Sequence, residues 1–112
     1  MSQDPAAAPS LEGVVSASAL VTYQPGTVVS RTLVRKAAGT VTAFAFDSGE
    51  GLSEHTAPFD ALALSLEGEA EISIAGTAHH LSAGELLKLP AGRPHAVKAI
   101  TPFKMLLVMI RE

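Results

Sequence analysis

Short apolar runs recur along the chain from Val14 onward, and turn-forming residues interrupt them before any can grow long. The punctuation falls at Gln24-Pro25-Gly26, Asp47-Ser48-Gly49, Glu67-Gly68, Ala75-Gly76, Ala83-Gly84 and Pro90-Ala91-Gly92. Runs this short are strand-sized, and a helix of the same length would be marginal. Strands are expected near Leu20–Tyr23, Val28–Lys36, Thr40–Phe46, Ala61–Leu66, Ala70–Ile74, Thr77–Leu81, Leu86–Leu89, His95–Ala99 and Phe103–Ile110. Many short strands with regular turns indicate an all-β sandwich or barrel. Ala75-Gly76 reads as a two-residue hairpin turn. One helix signal competes, because Ser82-Ala83-Gly84-Glu85 has the capping-box pattern before an apolar run. Pro90 ends that run after four residues, too soon for a helix.

The chain has 112 residues, 47% of them hydrophobic, which suits one domain with a real core. Residues 1–12 are rich in Ala, Pro and Ser and are expected to form a disordered tail, leaving 13–112 as the barrel domain. The formal net charge is −3, the basic residues are scattered, and aromatics are few. Neither a basic stripe nor a stacking platform is present, so nucleic acid is not an expected partner. With no cysteine, thiolate nucleophiles, disulfides and Cys-type zinc sites are excluded. The first residues lack a basic n-region, and no apolar run approaches the roughly 20 residues of a membrane helix, so the expectation is a soluble cytoplasmic protein.

The histidines carry the chemistry. The segment from Gly84 to Ala99 has the spacing Gly84, Pro90, Gly92, His95, Ala99. This resembles the second motif of the cupin superfamily, G-x5-P-x-G-x2-H-x3-N, with Ala99 in place of Asn. Gly49, His55 and Gly68 likewise resemble the first motif, G-x5-H-x-H-x(3,4)-E-x6-G. There Ala57 stands at the second His and Ala61 at the Glu. The resemblance runs from about Thr40 to Ile110 and implies a short antiparallel jelly-roll barrel. In typical cupins three His and one Glu hold Fe, Mn, Ni, Zn or Cu, which makes His55 and His95 the expected metal ligands.

Two imidazoles are fewer than the three protein ligands usual at a catalytic zinc ion, and no carboxylate is left to offset the charge. Asp60 is one residue out of register with Ala61, and only a bulge at Pro58 would turn it inward. Two function classes follow. One is a reduced divalent-metal site on His55 and His95, with Asp60 as a possible addition, acting on a small polar molecule, as a possible metal-dependent enzyme. The other is a metal-free cupin that binds or senses a small ligand in the barrel, its histidines bonded to backbone or water. Adjacent His79 and His80 must point to opposite faces of a strand and read as a solvated edge. The resemblance also implies a homodimer. Phe103–Ile110 with Leu62, Leu64 and Leu66 offers more aliphatic faces than one barrel interior hides.

Overall fold

The computed structural model describes residues 10–111. Most of the expected tail, residues 1–9, lies outside the described residues, and Ser10, Leu11 and Glu12 are exposed. A 3-10 turn at Ala17–Ala19 precedes nine strands among the described residues. These are β1 (Val28–Lys36), β2 (Gly39–Phe46), β3 (Gly51–His55), β4 (Asp60–Glu67), β5 (Glu69–Ile74), β6 (Thr77–Ser82), β7 (Leu86–Leu89), β8 (His95–Ala99) and β9 (Phe103–Ile110). They form two antiparallel sheets, ordered β1-β2-β9-β4-β7 and β3-β8-β5-β6. From β2 to β5 and from β6 to β9 the chain changes sheet at every connection, which is the crossing pattern of a jelly roll.

Alternation decides which side chains enter the core. On β9, Phe103 and Met105 turn inward and are fully buried, while Lys104 and Leu106 turn outward. On the adjacent β4, the inward residues are the small Ala61, Ala63 and Ser65, which leave room for that bulk. Phe46 packs against Phe103 with ring centroids 5.6 Å apart, and Ile72, Leu81 and Val97 close the core from the second sheet. A smaller cluster sits outside the larger sheet, where Leu20 and Val21 cover Val29, Ala43 and Ala45.

That outer cluster corrects one expected strand. Leu20–Tyr23 is not a strand but an irregular segment laid across the sheet. Its apolar side chains reach the same burial without a ladder, since strand preference is largely a preference for half-buried surface. Lys104 pins the segment by donating from Nζ to the Ser18 carbonyl at 2.6 Å and lying 4.7 Å from the centre of the Tyr23 ring. The Tyr23 hydroxyl donates to Glu67, and burial together with this carboxylate pushes the phenol well above its usual range.

Two turn signals are used as local chemistry. Ala75 and Gly76 have φ of 49° and 84°, both positive as a type I′ hairpin turn demands. The Ala75 N–H donates to the Pro94 carbonyl at 2.8 Å, which holds the non-glycine residue there. The Ser82–Glu85 pattern starts no helix. Glu85 Oε1 accepts the Ser82 N–H at 2.8 Å, as in a capping box, but the chain passes through Gly84 at φ 83° and enters β7.

Candidate functional site

A cavity of about 340 Å³ opens between the two sheets. Phe44 of β2, Leu52 of β3, Leu89 of β7, Val97 of β8, and Met105 and Leu107 of β9 form its apolar wall. Its other lining residues are Ser53, His55 and His95. The two histidines are forty positions apart in the chain and are register partners across β3 and β8. Their rings meet edge to face, with centroids 4.4 Å apart and planes at 69°.

The Pro-Gly turn places His95. The Gly92 N–H donates to the Ala57 carbonyl at 2.9 Å, and the Ala91 N–H donates to Asp60 Oδ1 at 2.9 Å. Both bonds dock the turn on the 57–60 segment, so β8 starts beside the end of β3. His95 is 7% exposed, whereas His55 stands at the exposed rim. His55 Nδ1 lies 3.0 Å from the Ser53 carbonyl, and His95 Nδ1 lies 3.4 Å from the Arg93 carbonyl. A carbonyl only accepts, so each Nδ1 carries the hydrogen and each Nε2 presents a lone pair.

Burial lowers the pKa of His95 below its ordinary value, and the neighbouring His55 lowers it further; the Arg93 carbonyl opposes both. A depressed histidine pKa means that the unfolded chain binds the proton more tightly than the folded one. The contribution to stability is therefore intact above pH 6.5, the unfolded value, and is lost as pH falls below it. Urea unfolding at pH 7.5 and pH 5.5 should show a drop in stability that His95→Gln makes smaller. An equal drop in both proteins would assign the pH dependence to other groups.

The expected metal site does not form. Among the described residues, no group of three or more His, Cys, Asp or Glu side chains is placed to hold an ion. Ala61, at the position of the cupin Glu, is packed into the core at 7% exposure. Asp60 is exposed on the outer side of β4, where its carboxylate accepts from Ala91 and lies 3.9 Å from Lys88 Nζ. No reversal of phase occurs to turn Asp60 inward. His55 and His95 alone are two donors where about three are needed. The divalent cation expected as cofactor, whether Zn, Ni, Mn, Fe or Cu, is thus corrected to none, and the metal-binding reading of the function goes with it.

His80 is exposed and pairs with Glu69 at 2.8 Å, while His79 faces the other way and is half-buried in a separate groove beside Arg93. Neither histidine joins the pair in the cavity. The sequence pattern missed Ser53 and Leu52 as cavity residues because their strand, β3, carries one apolar side chain in five and shows no periodicity. Phe44, Met105 and Leu107 also line the cavity without being singled out for it by the sequence. The signal for them was the shared inward phase with Phe46 and Phe103.

The family model described as Cupin domain matches residues 43–110. Among solved structures, the conserved SPY1581 protein of unknown function from Streptococcus pyogenes is 33% identical, with a TM-score of 0.88 over 93% of this chain and 91% of that one. A cupin superfamily protein from Desulfitobacterium hafniense is 30% identical, with a TM-score of 0.85 over 94% of this chain and 95% of that one. A cupin 2 conserved barrel domain protein from Leptotrichia buccalis is 40% identical over 84% of this chain, which spans 46% of that protein, with a TM-score of 0.81. No curated protein sequence matches the chain.

Proposed function

Because the chain belongs to the cupin superfamily, with the family's domain spanning residues 43–110, we propose that it is a metal-free cupin module that binds a small ligand in its barrel. Cupin barrels carry unrelated activities, so this reading rests on the site and not on the fold. The observation that supports it is the apolar cavity bearing two imidazoles, with no third ligand and no carboxylate in its wall among the described residues. Such a pocket has the mix of apolar wall and few polar groups that suits a small organic molecule. Protein purified without a tag or chelator should contain far less than one equivalent of any divalent ion by elemental analysis. One equivalent of a transition metal would overturn the reading.

A homodimer completes the proposal. The outer face of the larger sheet carries Val41, Val108 and Leu62 in one register row, and Leu106, Leu64 and Leu86 in the next. Leu106 packs against the cluster that Leu20 and Val21 form, while Leu86 and Ile110 are 57% and 53% exposed. A continuous aliphatic patch of this kind marks an interface, and a second copy offers a self-complementary partner. Light scattering at micromolar concentration should give twice the chain mass of 11.5 kDa, and a monomer mass refutes it.

No helix among the described residues is long and apolar enough to cross a membrane.

A further inference from the structure

We propose that the cavity ligand is a neutral molecule about one ring in size, mainly apolar, that donates a hydrogen bond from a hydroxyl or N–H group to Nε2 of His55 or His95, with phenols as the fitting class. This rests on the metal-free reading above and goes further by fixing the sign of the polar contact.

Three observations carry it. The first is tautomeric. The Ser53 and Arg93 carbonyls hold the Nδ1 hydrogens, so the Nε2 atoms can only accept while the rings are neutral. Among the described residues, no protein group bonds to either Nε2 atom. At these two atoms a ligand that only accepts, such as an ether or ketone, would set lone pair against lone pair. A donor satisfies both sides.

The second is charge. Among the described residues, no Lys, Arg, Asp or Glu lines the wall. An organic cation would lose water with no carboxylate to meet it, and an anion would find no fixed counter-charge. The imidazoles could meet an anion only by taking up a proton, and burial beside His55 makes His95 resist one. A neutral donor incurs neither cost.

The third is size and lining. A volume of about 340 Å³ lies near the lower end of the range for ligand pockets, enough for one ring with small substituents. Phe44 and the aliphatic wall favour the ring's apolar body, and the two imidazoles, in edge-to-face contact, line the same cavity.

The test uses the full chain, titrated at pH 7.5 with phenol, anisole, toluene and benzoate and followed by amide and imidazole NMR shifts. Phenol should bind on the order of tenfold more tightly than anisole or toluene, because only phenol donates. Benzoate should bind no better than toluene. His55→Leu lies at the rim, where folding is least at risk. Together with His95→Leu, it should erase the advantage of phenol while toluene still binds. If phenol and anisole bind equally, or benzoate binds best, the donor inference is overturned while the cavity reading stands. If none of the four shifts the resonances of the cavity residues, the cavity reading fails and this inference with it.

Discussion

Gly68→Ala should destabilise the fold by about 3 kcal/mol or more, lowering the melting temperature by more than about 12 °C. Gly68 has φ of 77°, a conformation that L side chains rarely adopt. A Cβ there would also lie 1.9 Å from the Pro102 carbonyl oxygen and 2.9 Å from Thr101 Oγ1. Neither neighbour is free to move. Thr101 Oγ1 accepts the Glu69 N–H at 2.9 Å and donates to the Pro102 carbonyl at 3.0 Å. Gly68 joins β4 to β5, interior strands of the two different sheets, so no edge can fray to relieve the overlap. Gly84→Ala is the control. Its φ of 83° is as unfavourable, but nothing lies within 4 Å of the added carbon. That variant should lose only about 1 kcal/mol. Thermal and urea unfolding of both variants check this, and a Gly68→Ala protein as stable as Gly84→Ala refutes the steric part.

The strands that could be read from the sequence are those with an apolar inner face. Ala61, Ala63 and Ser65 on β4 and Phe103, Met105 and Leu107 on β9 turn toward the core, so Ala61–Leu66 and Phe103–Ile110 stand out as apolar runs. β3 does not, because it is an edge strand with only Leu52 half-buried and its pairing with β8 leaves no trace in periodicity. Leu20–Tyr23 has strand composition without being a strand, because covering a sheet and joining one bury similar side chains. The site divides in the same way. Motif spacing alone located His55 and His95, and the alanines at 57 and 61 already signalled the missing ligands. Alternation already pointed Asp60 outward, and its bonds to the Ala91 amide and Lys88 show what it does there. The cavity was not legible. Whether inward side chains fill the space between two sheets depends on how far the sheets stand apart, and no local pattern records that distance.

Gly51→Ala should damage the site far more than the fold. A Cβ on Gly51 would lie 2.1 Å from the Val97 carbonyl oxygen, inside the β3–β8 ladder. Unlike Gly68, this residue sits on an edge strand that among the described residues pairs only with β8, so the overlap is relieved by β3 moving away. The flanking bonds, Gly49 N–H to the Ala99 carbonyl at 2.9 Å and Ala99 N–H to the Glu50 carbonyl at 2.8 Å, would loosen with it. β5, β6 and the larger sheet keep their own ladders and the Phe46–Phe103 core. The melting temperature should therefore fall less than in Gly68→Ala. Hydrogen exchange of the bonded β3 amides should accelerate on the order of 100-fold, while β5 and β9 amides stay protected. Because β3 carries Leu52, Ser53 and His55, one wall of the cavity goes with it, and the edge-to-face contact with His95 is lost. Ring-probe binding should weaken at least tenfold, since a pocket open on one side no longer excludes water from the apolar wall or holds two acceptors together. Unchanged β3 protection together with unchanged binding would mean that the ladder absorbs the added methyl group, and the separation of site from fold would be refuted.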